Sequence, residues 1–158
     1  MPSLPAARQR LPELKVLTAT GDATSIEAHL GSQVTLLNFL HGASCPDCVS
    51  QLYRLQRHKQ EIVAAGAEIV VGTRDTPEAL AAFLLSTGRS LEYTVLADPD
   101  GATHRRVGAG GHTLALVVDH RRTVRWVMHW SDRHDESGYQ MLLQVLQEAG
   151  AARMAEKV

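Results

Sequence analysis

Cysteine is scarce in this chain of 158 residues, which contains only Cys45 and Cys48. Two cysteines are too few for the disulfide framework that stabilises small secreted domains. No apolar run approaches the roughly 20 residues that a membrane span needs. The chain also lacks an excess of either charge, because 16 Lys and Arg balance 17 Asp and Glu. The sequence therefore gives no electrostatic reason to expect a nucleic acid or a membrane surface as a partner.

The length and the apolar content, 44% of residues, suit one domain with a substantial core. Residues 1–13 are rich in proline, arginine and small side chains, so we expect a loose lead-in there and a single domain over residues 14–158. The first residues contain no apolar segment like that of a secretory signal. Since a cysteine pair without a disulfide framework suits a reducing compartment, a cytoplasmic location is expected.

Hydrophobic patterns predict an alternation of strands and helices. Strands are expected at residues 34–40, 67–72, 93–97, 114–118 and 124–130. Helices are expected over about 46–65, from residue 77 onward and over about 137–149, with a helical turn near 24–30. Early strands separated by helices suggest parallel pairing, and the last two strands suggest a hairpin. The sequence thus predicts an α/β protein whose central mixed sheet is flanked by helices.

The two cysteines form the motif Cys45-Pro46-Asp47-Cys48, between an apolar strand and a helical pattern. Thiols at this spacing can close a small disulfide and reopen it by exchange, and the amino end of a helix favours a thiolate. Pro46 suits the first position of that helix. Cys48 falls on the apolar stripe of the helix, which also contains Leu52, Leu55, Ile62 and Val63, so Cys45 is predicted to lie nearer to solvent. We expect Cys45 to attack a partner disulfide and Cys48 to resolve the mixed disulfide.

Two ionisable neighbours can modify this chemistry. The carboxylate of Asp47 opposes thiolate formation, which predicts a thiol pKa nearer neutral than strongly acidic and a reducing couple. His41 precedes Cys45 by four residues. It can exchange a proton with an attacking thiol, or it can be an ordinary loop histidine at a strand end.

Zinc binding is a second interpretation of the same cysteines, with two histidines completing the site. Only His129 and His134 have a finger-like gap, so most histidines are better explained as surface or hydrogen-bonded residues, and we expect neither a metal nor a cofactor. The candidate histidines are His41, His58, His104, His112, His129 and His134. A buried structural cysteine beside an uninvolved one is a third interpretation.

Residues 14–149 resemble the thioredoxin-like superfamily, and within it the peroxiredoxin-like (AhpC/TSA) branch. The resemblance rests on the strand that leads into the cysteine turn and on three further segments. These are Asp75-Thr76-Pro77-Glu78, Ala97-Asp98-Pro99-Asp100-Gly101 and Leu116-Val117-Val118-Asp119. It implies a thioredoxin-like fold and thiol-based redox chemistry.

The active-site pattern departs from that of peroxiredoxins, which resemble one another in a Pro-x-x-x-Thr-x-x-Cys site with an arginine on a later strand. In this chain His41 stands at the Pro position, Cys45 at the Thr position and Cys48 at the peroxidatic position. The arginine position falls near Thr113, where thioredoxins carry a proline. The resemblance implies that His112 and Thr113 lie on the loop facing the cysteines. Arg105, Arg106 or Arg125 are candidates to replace the missing arginine.

These observations predict a thiol–disulfide oxidoreductase that works through Cys45 and Cys48, with His41, Pro46, Asp47 and Thr113 as supporting residues. A reducing dithiol protein or a low-molecular-weight thiol would regenerate it. One alternative is an antioxidant thiol peroxidase with Cys48 peroxidatic and Cys45 resolving. Another is a non-enzymatic module that senses redox state or holds zinc. The oligomeric state stays open.

Overall fold

The structure is a computed structural model that describes residues 9–31, 33–87, 90–109, 113–129 and 136–156. Its seven strands are β1 (Lys15–Leu17), β2 (Ala23–Ser25), β3 (Val34–Leu40), β4 (Ala67–Thr73), β5 (Thr94–Ala97), β6 (Leu114–Val118) and β7 (Val124–His129). Its helices are α1 (Pro46–Arg57), α2 (Lys59–Ala64), α3 (Pro77–Ser86), α4 (Ala102–Arg106) and α5 (Glu136–Glu156), with a 3₁₀ turn at Glu27–His29. In these described ranges, none of the helices has both the length and the apolar character needed to cross a membrane.

The strands form one mixed sheet in the order β2-β1-β5-β4-β3-β6-β7. β3 and β5 run parallel to β4, whereas β6 runs antiparallel to both β3 and β7. All seven residues of β3 are buried, as expected for a central strand that is covered on both faces. The predicted α/β class, the parallel pairs and the final hairpin are confirmed.

Each face of the sheet has its own apolar cluster. One cluster contains Leu52, Ile62, Leu80 and Tyr139, which come from α1, α2, α3 and α5. The other cluster lies on the opposite face of the sheet. It contains buried residues of the N-terminal segment, such as Leu11, together with strand side chains that point to that face. Cys48 belongs to the first cluster, so the thiol motif is built into the helical layer on that face.

The helix predicted over 46–65 is divided into α1 and α2 at His58, which has φ −96° and ψ 3°. The predicted core stripe is confirmed for Leu52, Leu55 and Ile62, which are all buried. It is wrong for Val63, which is 52% exposed because the break rotates the second helix relative to the first.

Three short elements were not predicted, because β1, β2 and α4 are only three to five residues long. The lead-in expected over residues 1–13 is described from residue 9 onward. There Arg10 pairs with Thr123, and the buried Leu11 donates its amide hydrogen to the carbonyl of Arg122 at 2.7 Å. This part of the segment is attached to the β6–β7 hairpin.

Candidate functional site

The cysteine motif lies at the carboxyl end of the central strand. β3 ends at Leu40, five residues of loop follow, and α1 begins at Pro46. Because β3, β4 and β5 are parallel, the segments that follow β4 and β5 lie at the same edge of the sheet. This is the edge where open α/β sheets bring functional side chains together.

Cys45 caps the amino end of α1. Its backbone is extended, with φ −103° and ψ 112°, and its sulfur accepts the amide hydrogen of Cys48 at 3.4 Å. Both cysteines are free thiols, Cys45 half-buried and Cys48 only 2% exposed, so the predicted difference in exposure is confirmed. Pro46 and Asp47 are exposed in the first turn of the helix. Cys45 is therefore the sulfur that a large disulfide substrate can reach.

The sulfur of Cys48 sits in a buried pocket of backbone amides. It accepts the amide hydrogen of His41 at 3.3 Å, and the amide of Gly42 also donates to it. Burial, and after it the Cys45 side chain, raise the pKa of the Cys48 thiol to about 11 against the opposing effect of the two amides. The near-neutral pKa predicted from the sequence is wrong for this sulfur, because burial raises the pKa in the same direction as the Asp47 carboxylate was expected to, and further. At neutral pH Cys48 is a thiol that can donate a hydrogen bond to Cys45.

Asp75, which follows β4, clamps the loop before the cysteines. Both of its carboxylate oxygens accept the amide hydrogen of Ala43, at 3.1 and 3.3 Å. Gly42 has φ +143°, and a Cβ there would lie 2.6 Å from the Asp75 Oδ1 atom. The amide of Arg74 also donates to the carbonyl of His41 at 3.0 Å. Asp75 was expected only as part of a segment that carries the family resemblance; the missed signal was an acid at the end of the strand beside the cysteine strand.

His104 is fully buried beneath the same loop. Its Nδ1 atom lies 2.7 Å from the Asp98 Oδ2 atom, and its Nε2 atom lies 2.9 Å from the carbonyl oxygen of Leu40. Burial raises the pKa of the Asp98 carboxyl, but the hydrogen bonds from His104 outweigh that effect, so the net pKa is lowered. Asp98 is therefore a carboxylate at neutral pH. From the sequence, His104 was one of six zinc candidates, most of which were better explained as surface or hydrogen-bonded residues.

The predicted supporting residues His41 and Thr113 lie close to the cysteine motif. His41 contacts Cys48 through its backbone amide. Thr113 is half-buried just before β6, whose first residue Leu114 pairs with Phe39. That register places Thr113 beside the end of β3. Within the described ranges, no hydrogen bond joins Thr113 to either sulfur, and its neighbour His112 lies outside them.

The proposed replacement arginines lie in other interactions. Arg125 donates to Asp119 at 2.8 Å, and Asp119 follows β6 at the edge of the sheet opposite the cysteines. Arg105 donates to the carbonyl of Asp100 at 2.8 Å. Arg106 is exposed on α4. Among the described residues, none of these three arginine side chains makes a hydrogen bond to either thiol.

In the part of the chain that the structure describes, no three His, Cys, Asp or Glu side chains are close enough together to bind a metal ion. Two of the candidate histidines have other partners: His104 bonds to Asp98 and Leu40, and the ring of His58 stacks on Tyr139 at 4.2 Å between centroids. His112 and His134 lie outside the described residues.

Comparisons with known proteins agree with this geometry. A model of the AhpC/TSA family matches residues 7–127. Among solved structures, the peroxidoxin BcpB of Mycobacterium tuberculosis is similar at 19% identity and a TM-score of 0.78, over 91% of this chain and 97% of that one. A protein described as the thiol:disulfide interchange protein DsbE of Chlorobium tepidum is similar at 22% identity and a TM-score of 0.71, over 91% and 99%.

A peroxiredoxin-like protein of Aquifex aeolicus is also similar, at 17% identity and a TM-score of 0.74, over 93% of this chain and 89% of that one. No protein of curated function matches the sequence. At these identities the structural likenesses establish the fold, and the predicted thioredoxin-like fold is confirmed.

Proposed function

This chain belongs to the AhpC/TSA family, and we propose on that basis that it is a thiol–disulfide oxidoreductase acting through Cys45 and Cys48 without a bound cofactor. Its family and its peroxiredoxin neighbours make it a thiol-based oxidoreductase. One observation supports the choice of disulfide exchange. The accessible sulfur of Cys45 accepts an amide hydrogen at the start of α1, and the buried thiol of Cys48 is directly behind it.

The first step is attack by the Cys45 thiolate on a disulfide R–S–S–R′. A bond forms between the Cys45 sulfur and one substrate sulfur, and the other leaves as a thiolate that takes up a proton. The Cys45 sulfur lies at the amino end of α1, where the Cys48 amide donates to it and the helix dipole is favourable to negative charge.

In the second step the Cys48 thiol loses its proton, and its sulfur attacks Cys45. The Cys45–Cys48 bond forms and the remaining substrate thiol leaves. Two electrons have then passed from the protein dithiol to the substrate disulfide, which becomes two thiols. A reducing dithiol protein or a low-molecular-weight thiol would return the two electrons by the reverse exchange. A cytoplasmic location is part of this proposal, because reducing conditions keep such a pair in the dithiol form.

Trapping of the mixed disulfide tests this order of attack. We expect Cys48→Ser, incubated with oxidised glutathione, to accumulate one glutathione on Cys45, as measured by intact-protein and peptide mass spectrometry. The matched control, Cys45→Ser, should form the adduct far more slowly because Cys48 is buried. Faster adduct formation on Cys48 than on Cys45 would reverse the assignment of the two sulfurs.

Peroxidase activity is the second candidate, and the amides on the Cys48 sulfur favour it because they stabilise a thiolate at the peroxidatic position. The Cys48 thiolate would take one oxygen atom from a peroxide, releasing an alcohol or water and becoming a sulfenic acid. Condensation with Cys45 would then expel water and form the disulfide. Burial of Cys48 opposes this route by raising the pKa of its thiol.

The rate of oxidation by hydrogen peroxide separates the two enzymes. A peroxidase would oxidise far faster than a free thiol, keep that rate in Cys45→Ser and lose it in Cys48→Ser. Disulfide exchange through Cys45 predicts a rate no better than that of a free thiol. A non-enzymatic module would catalyse neither reaction. Measurement of its zinc content, together with free-thiol counts before and after reduction, would identify such a module.

A further inference from the structure

A continuous chain of hydrogen bonds connects the buried Asp98 side chain to the sulfur of Cys48. The Asp98 carboxylate bonds to the His104 ring at 2.7 Å, and the other side of that ring bonds to the Leu40 carbonyl at 2.9 Å. The carbonyl of Leu40 and the amide of His41 belong to one peptide group. That amide donates to the Cys48 sulfur at 3.3 Å.

The direction of these bonds follows from the chemistry of the groups. A carbonyl oxygen can only accept, so the Nε2 atom of His104 carries a hydrogen. The Nδ1 atom faces the Asp98 Oδ2 atom at 2.7 Å, which fixes the orientation of the ring. The Nε2–H group of His104 therefore bonds to the peptide whose amide donates to Cys48. A donor that bonds to a peptide oxygen draws electrons from the amide of that same peptide and strengthens the hydrogen bond that this amide donates.

We propose that His104 is a positioning residue that strengthens the hydrogen bond from the His41 amide to the Cys48 sulfur, and that Asp98 holds the His104 ring in the orientation that does this. The proposal rests on the proposed function in one respect, since it assigns the effect to the resolving step. The bond favours the Cys48 thiolate, the form that attacks Cys45 in that step.

A structural role for His104 is the competing explanation. The backbone amide of His104 also donates to Asp98 at 2.7 Å, and its ring packs edge-on against Phe39 with centroids 5.2 Å apart. Loss of the ring therefore disturbs packing as well as the hydrogen bond to Leu40. A decisive test needs a readout that packing alone does not change.

The reaction with Ellman's reagent, an aromatic disulfide that releases one coloured thiolate per exchange, resolves the two steps. The first release reports attack by Cys45, and the second reports resolution by Cys48. In His104→Leu we expect an unchanged first release. The thiolate fraction of Cys48 should fall roughly two- to five-fold, which slows the second release about two-fold. His104→Gln keeps an N–H group that can donate to the Leu40 carbonyl, so it should recover part of this loss.

The amide proton resonance of His41 is the readout that packing does not explain. In the reduced protein we expect it to move upfield in His104→Leu, and by a smaller amount in His104→Gln, as its bond to sulfur weakens. His58→Gln is the matched control, because the His58 ring also packs against a neighbour, Tyr139, but lies outside this chain of bonds. It should leave the His41 resonance and the second release unchanged.

An unchanged His41 resonance in His104→Gln would overturn the proposal, and so would an unchanged second release in a folded His104→Leu. If His104→Leu does not fold, the His41 amide proton resonance of His104→Gln still tests the proposal. Absence of the first release in the wild type would instead refute the proposed function, while the His41 resonance would continue to test the role of His104.

Discussion

Replacement of Gly42 by alanine tests whether the clamp on the cysteine loop is built as described. The substitution meets two separate obstacles. The φ of +143° lies in a region that is almost restricted to glycine, and a Cβ would lie 2.6 Å from the Asp75 carboxylate. A backbone in such a region costs about 1–3 kcal/mol, and forced overpacking costs about 1–3 kcal/mol more, so Gly42→Ala should lower the free energy of unfolding by about 2–6 kcal/mol.

Gly21→Ala is the matched control, because Gly21 also has a positive φ, +88°, but no atom lies within 4 Å of its hypothetical Cβ. It should lose only the backbone contribution, about 1–2 kcal/mol. Urea unfolding measures both variants. With an m-value of about 2.5 kcal/mol/M, the midpoint of Gly42→Ala should fall by about 1–2 M.

A double-mutant cycle with Asp75→Ala separates the two obstacles. Removing the carboxylate relieves the clash but leaves the backbone cost, so the two substitutions should couple by about 1–3 kcal/mol. Equal losses in Gly42→Ala and Gly21→Ala, together with a coupling below about 0.5 kcal/mol, would refute the contact between Gly42 and Asp75.

Further predictions concern pH and the core. Burial raises the pKa of Cys48 from 9.0 to about 11, so the unfolded thiol ionises first and stability should fall between those two pH values by about 2–3 kcal/mol. Cys48→Ala should remove this fall in urea unfolding at pH 8 and pH 11, and an unchanged alkaline loss would contradict it. The pKa of Asp98 is lowered in the folded protein, so its contribution is present above pH 3.8 and lost as the pH falls through the folded pKa. Asp98→Asn should be less stable than the wild type near neutral pH and should lose less stability on acidification; parallel acid curves would count against this. Leu55→Ala should lower the unfolding free energy by about 2–5 kcal/mol, because the side chain is fully buried, whereas exposed Leu85→Ala should change it little.

The long elements were predictable because local patterns determine them. β3 is a continuous apolar run and is buried throughout. α3 begins where expected because the Thr76 hydroxyl accepts the amide hydrogen of Ala79 at 3.1 Å and Pro77 takes the first helical position. The exposure of the two cysteines was predictable for the same reason, since helical spacing alone places Cys48 on the apolar stripe.

The surroundings of the cysteines were not predictable because they depend on contacts between distant segments. The parallel register that pairs Leu40 with Thr73 brings Asp75 to the cysteine loop. The bond from His104 to Leu40 spans 64 residues of sequence. The pKa of Cys48 is raised chiefly by burial, a property of the assembled core that the neighbouring charge of Asp47 does not reveal.

The cap of α1 is itself a reacting atom, and this ties the start of the helix to the progress of the reaction. In the reduced protein the Cys45 sulfur accepts the Cys48 amide hydrogen. Once that sulfur has entered a disulfide with a substrate it has no negative charge, and a neutral sulfur is a weak acceptor. The first turn should then fray for as long as the mixed disulfide survives. The rate of hydrogen exchange at the Cys48 amide would therefore report how long the mixed disulfide survives, without a dye or a coupled enzyme.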